Sequence, residues 1–212
     1  MNNLHASYSI PHSPIKVRVG DIKLSNEEKK LLQEVIDTER LSEGPMTKEF
    51  EKLWADYNGV NHCVAVNSGT SALIAGLYAL LHDDRFPKIK KGAKVITSPV
   101  TYIATSNAIV LAGMEPVFVD IDPGTFKLDV NQIDDLLKQS NKDEYCMILP
   151  VHLMGYMNDM DELLNICNKY DLVLFEDAAQ SHGSIYKNKK AGSFGLLADY
   201  SFYIAHNVQV GE

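Results

Sequence analysis

From about residue 48 onward, short β-branched or apolar runs alternate with longer stretches whose apolar residues recur at helical spacing. The short runs are HCVAV (62–66), AKVITSP (93–99), PVFVDI (116–121), YCMILPV (145–151), LVLFED (172–177) and DYSFY (199–203). Helical patterns cover 26–38, 47–57, 70–82, 101–112, 130–139 and 159–169; in the last, Met160, Leu163, Leu164 and Cys167 form one apolar stripe. Strands alternating with helices predict βαβ units, hence an α/β domain with a mainly parallel sheet and helices on both faces. Residues 1–47 read as an N-terminal segment with one helix, and 48–212 as one large domain. YKNKKAG (186–192) breaks the rhythm and reads as a hairpin or loop whose lysines face solvent.

Ligands of such sheets bind outside the carboxyl ends of the strands, so the residues after each run are the ones to inspect. HCVAV is followed by Asn67, Ser68, Gly69, Thr70 and Ser71, which lead into an apolar helix. A helix N-terminus opened by glycine can seat a phosphate, and Ser68 or Thr70 can equally be a simple cap. After VITSP come Thr101 and Tyr102; the tyrosine either stacks on a planar ligand or is a rim aromatic. LVLFED ends in Glu176 and Asp177, and a carboxylate closing a buried strand needs a partner. A protonated pyridine nitrogen would be one, with Gln180 placed to reach a neighbouring oxygen; a metal or a helix cap would be another. His152, His182 and His206 also follow strand patterns, and each taken alone reads as structural.

Composition narrows the partners. A net charge of −8 without a basic run gives no footing on nucleic acid. Cys63, Cys146 and Cys167 are scattered and without CxxC spacing, which suggests neither a disulfide framework nor a zinc site and fits a reducing cytoplasm. SALIAGLYALL is about half the ~20 residues that cross a bilayer, so no membrane span is expected. The N-terminus has polar residues and prolines where a secretory signal would need a basic start and an apolar core. The chain stops directly after a patterned segment, which reads as part of a longer protein.

Taken together and in order, LSEGPMTKEFEKLWADYNGV, AVNSGTSAL, TYIATSNAIVLAGMEPVFVDIDPGTFKLD, PVHLMGYMNDMDEL, EDAAQSHGS, AGSFG and SFYIAH resemble the DegT/StrS-type sugar aminotransferases. That resemblance implies the pyridoxal-phosphate-dependent, type I transferase fold, with this chain supplying the large domain and lacking the small C-terminal one. It implies that the backbone at Gly69, Thr70 and Ser71 and the Ser201 hydroxyl hold the phosphate, Tyr102 stacks on the ring, Asp177 pairs with the pyridine nitrogen, and Gln180 contacts the phenolic oxygen. It further implies a homodimer, a nucleotide-linked keto sugar as substrate and glutamate as amino donor.

One position departs from the family. Its closing motif is matched by Ser201, Phe202, Tyr203, Gly211 and Glu212, but His206 stands where the Schiff-base lysine is expected. Imidazole cannot form that bond, although with an ordinary pKa of about 6.5 it can be a general base. The substitution resembles the sugar 3-dehydratases, which work with pyridoxamine phosphate and a histidine base. A 3-dehydratase with His206 as base is therefore the leading expectation. EDAAQSHG and Asn207 look more like ordinary aminotransferases, which keeps a transaminase open, and loss of the lysine also fits a non-catalytic, cofactor- or nucleotide-sugar-binding regulator.

Overall fold

The computed structural model describes residues 20, 23–39 and 42–209. The N-terminal residues 1–19 and the Gly211–Glu212 end of the closing motif lie outside the described residues. The helices are α1 (Asn26–Asp37), α2 (Pro45–Asn58), α3 (Gly69–Leu81), α4 (Ala104–Leu111), α5 (Val130–Gln139) and α6 (Met160–Tyr170). The strands are β1 (Lys94–Thr97), β2 (Glu115–Phe118), β3 (Tyr145–Ile148), β4 (Val173–Asp177), β5 (Ile185–Tyr186), β6 (Lys189–Lys190) and β7 (Leu197–Asp199). Five of these form one parallel sheet in the order β2-β1-β3-β4-β7.

The period of two along each strand divides the core in half. Val95, Met147 and Phe175 pack under α3 and α4, whereas Ile96, Ile148 and Leu174 pack under α5 and α6. Helices therefore cover both faces, as the alternation of patterns predicts. Helix α3 sits unusually close to the sheet. A Cβ added at Gly76 would lie 2.7 Å from the Phe175 ring, and one at Gly69 would lie 2.7 Å from Ser201 Cβ. Two glycines one heptad apart thus let the start of this helix meet the residues beyond β7.

The strand expected at 62–66 does not form. Val64 and Val66 are exposed, and Ala65 N–H donates instead to Glu51 Oε1 at 2.9 Å. A strand needs a neighbour for its ladder, and among the described residues none runs beside this segment. The pattern expected over 199–203 is a strand at Leu197–Asp199, because Tyr200 turns away to donate its hydroxyl to the Ala191 carbonyl and to Asn58. Ser201 is left just past the strand end. Likewise α4 starts at Ala104 and not at 101, since Ser98 Oγ accepts the Val100 N–H at 2.9 Å and holds a turn ahead of the helix. The 186–192 segment is an antiparallel hairpin with Lys187 and Asn188 at positive φ. Lys187, in a surface ion pair with Asp161, and Lys189 are exposed as expected; Lys190 is the exception, its Nζ lying 3.2 Å from the centre of the Tyr57 ring.

Candidate active site

The predicted residues collect at the carboxyl edge of the parallel sheet. Ser68 caps α3, accepting the Ser71 N–H at 3.1 Å, while the Ser68 carbonyl takes the Ala72 N–H. The capping function read from the sequence is therefore real. It also leaves the Gly69 and Thr70 N–H groups, which no earlier turn of the helix can satisfy, at a helix tip that packs closely against Ser201. An open pair of N–H donors, a positive helix end and an adjacent hydroxyl form an anion seat.

Asp177 closes β4 and is 5% exposed. Its Oδ2 accepts the Thr105 hydroxyl at 2.6 Å and its Oδ1 the Ala179 N–H at 3.2 Å. Burial pushes its pKa up; the two hydrogen bonds and the neighbouring His152 and His206 imidazoles pull the other way. A cation placed against this carboxylate would offset the desolvation. Thr105 in turn joins Thr101 at 2.8 Å, and its N–H donates to the Tyr102 carbonyl, so the start of α4 is tied to Asp177. Tyr102 is 71% exposed at this edge. The Gln180 side chain accepts the Met154 N–H through Oε1 at 2.8 Å, which fixes the amide and leaves Nε2 as a free-facing donor.

Glu176, the other carboxylate of the strand, faces the opposite side. It accepts N–H groups from Gly192 at 2.8 Å, Phe194 at 2.8 Å and Gly195 at 2.7 Å, and its Oε2 lies 3.1 Å from His152 Nε2. His152 Nδ1 is the acceptor for the Asn158 N–H at 3.3 Å, so Nε2 carries the proton. Glu176 and His152 thus hold the 192–195 loop. They are parts of the scaffold, as the reading of His152 as structural anticipates.

His206 is half-buried, and burial lowers its pKa against the opposing pull of Asp177. Its ring lies 6.1 Å from that of His182. Two further residues were not singled out from the sequence. Trp54 joins His182, Tyr200 and Phe202 in an aromatic cluster, a contact that links α2 to the site and has no signature along the chain. Asp199 pairs in register with Asp177 on the neighbouring strand, is 2% exposed, and has neither oxygen hydrogen-bonded. Burial and the nearby Asp177 charge raise its pKa well above the carboxylate range.

Asp199 makes a prediction about pH. Its native state holds the proton more tightly than the unfolded chain does, so raising the pH between the two values favours unfolding. Asp199→Asn removes that penalty. Its stability relative to the parent is expected to grow as pH rises from below the ordinary carboxylate range to the raised native value, and then to level off. Urea titrations at a series of pH values check this; a variant that is destabilised equally at every pH contradicts it.

These residues fit a flat, phosphorylated, nitrogen-protonated ring. The helix tip at Gly69 beside Ser201 would hold the phosphate, the buried Asp177 the ring nitrogen, and Gln180 Nε2 a ring oxygen.

A model of the DegT/DnrJ/EryC1/StrS aminotransferase family matches residues 23–212. The chain is 38% identical over 198 residues to the GDP-perosamine synthase of Caulobacter vibrioides, covering 93% of this chain and 50% of that one. It is 32% identical over 185 residues to the GDP-4-keto-6-deoxy-D-mannose 3-dehydratase of Escherichia coli O55:H7, covering 87% and 46%. A solved GDP-4-keto-6-deoxymannose-3-dehydratase with a trapped PLP-glutamate geminal diamine superimposes with a TM-score of 0.83 at 29% identity, over 92% of this chain and 49% of that one. The chain spans about half the length of the curated relatives it matches. Among the described residues no helix is long and apolar enough to cross a membrane.

Proposed function

Because the chain belongs to the DegT/DnrJ/EryC1/StrS aminotransferase family, we propose that the protein acts on a nucleotide-linked 4-keto-6-deoxysugar with pyridoxamine phosphate, removing the hydroxyl next to the keto carbon. The observation that carries this reading is His206, an imidazole that feels the charge of Asp177 at the position where the family has a lysine. When bound, the cofactor supplies an electron-accepting ring and an exchangeable amino group.

The chain's own residues do the rest. Gly69 and Thr70 N–H groups, with Ser71 and the Ser201 hydroxyl, receive the phosphate. Tyr102 covers one ring face. Asp177 keeps a proton on the ring nitrogen, and Thr105 fixes the orientation of its carboxylate. Gln180 Nε2 donates to the phenolic oxygen. With the cofactor bound, His206, whose pKa burial holds below the ordinary imidazole value, would take a proton from the methylene carbon. Handed on to the departing hydroxyl, that proton would let it leave as water, the expelling electron pair coming from the bound amine form of the cofactor. Glutamate is the amino donor, and a second copy of the chain completes the active site.

A second reading is a nucleotide-sugar aminotransferase. It is favoured by the EDAAQSHG stretch and by the higher identity to a perosamine synthase than to a 3-dehydratase. The complete protein, supplied with pyridoxal phosphate, glutamate and a nucleotide-linked 4-keto-6-deoxysugar, separates the two by product mass. Loss of one oxygen is the expected result. Replacement of the keto oxygen by an amine would establish the second reading, and no change across several sugars would overturn both.

A further inference from the structure

His206 lies past β7 in a stretch without regular structure, and among the described residues no hydrogen bond reaches its ring. Its ring contacts are with other rings: Tyr203 at 5.9 Å, edge-on, and His182 at 6.1 Å with 36° between the planes. Tyr203 belongs to the same exposed stretch and cannot anchor it. His182 can. It packs against Trp54 at 5.8 Å, Tyr200 at 5.7 Å and Phe202 at 5.3 Å, rings contributed by α2 and by the segment after β7.

The cost of a histidine in this box is not explained by packing. Both of its ring nitrogens are buried and neither makes a hydrogen bond of good geometry, which a phenyl group would avoid. Burial, then the charge of His206, pushes its pKa down to about 4, against a slight opposing influence of the Ser201 backbone. The ring is accordingly neutral while His206 takes up a proton. Asp177 is the charged group that favours the protonated His206, and His182 and Tyr203 add no charge against it.

We propose that His182 is the positioning residue for His206: held against the touching rings of Trp54 and Phe202, it sets the plane of the His206 imidazole and shields one of its faces from water. The proposal rests on the reading of His206 as the base. Its structural half is tested without cofactor.

In the complete protein without cofactor, the His206 ring resonances are followed by NMR across pH in the parent, His182→Phe and His182→Ala. His182→Phe keeps a ring face and is expected to retain a ring-current shift at His206 and to preserve its titration. His182→Ala is expected to lose the ring-current shift and to raise the His206 titration toward the ordinary value of about 6.5. In the loaded enzyme, kcat should fall roughly 10- to 100-fold for His182→Ala, with KM and cofactor affinity within about two-fold, and recover in His182→Phe. If the alanine variant does not fold, His182→Gln removes the ring while filling more of the space and must behave as alanine is expected to. A folded ring-less variant with unchanged His206 shift and titration overturns the proposal. If those NMR changes occur while His206→Asn leaves turnover intact, the positioning stands and the assignment of the base falls.

Discussion

His206→Asn is expected to lower turnover of the complete protein by 10²–10⁴-fold, the range that a positioned general base supplies. Asparagine preserves much of the side chain's size and removes the proton acceptor. Cofactor binding should survive, because the groups assigned to phosphate, ring face and ring nitrogen lie on α3, ahead of α4, at the end of β4 and at Ser201 just past β7, and none of them is the side chain of residue 206. The affinity for pyridoxamine phosphate, followed by fluorescence, should stay within a few-fold of the parent. The pH profile adds a second check. A base must be unprotonated to act, and burial sets the His206 pKa below the ordinary imidazole value. Activity of the parent should therefore climb with pH along a limb that lies below about 6.5, and the residual activity of the variant should lack that limb. Unchanged turnover would remove His206 from the chemistry and move the assignment to another group.

Much of this site is legible in the sequence because it is built from local signals. A helix opened by Ser68–Gly69 must leave N–H donors at its tip, and a strand ending in an acid must expose that acid at the sheet's carboxyl edge. The same logic could have separated Glu176 from Asp177: with a period of two they face opposite sides, so only one can share an edge with α4. What the pattern along the chain does not carry is pairing between distant elements. HCVAV has the composition of a strand, but strand formation also requires a neighbour, and none lies beside it among the described residues. Trp54 is separated from His182 by most of the domain, and only the fold brings the two rings to 5.8 Å. Asp199 reads as an unremarkable acid in DYSFY until the register sets it beside Asp177.

His206→Lys should change the chemistry at this position from proton transfer alone to covalent capture. Incubated with pyridoxal phosphate and reduced with borohydride, the variant is expected to retain one cofactor per chain, with the added mass mapping to the peptide that contains position 206; the parent should retain none there. The argument is geometric and electrostatic together. His206 is close enough to Asp177, the carboxylate assigned to the ring nitrogen, to feel its charge, and it occupies the position where the family's lysine is expected, so a primary amine there is expected to reach the aldehyde carbon. Burial that depresses the imidazole pKa also disfavours an ammonium ion, leaving more of the amine free to attack, while Asp177 opposes this. Capture should consequently increase with pH, since only the unprotonated amine is nucleophilic. An absorbance band that appears with the cofactor and shifts on reduction gives an independent readout. If neither bond nor band forms in a folded variant that binds pyridoxal phosphate, position 206 does not face the reacting carbon, and the assignment of His206 as the base fails whatever the activity of the parent. If both form, one side chain separates a base that can only move the proton from an amine that can also hold the cofactor.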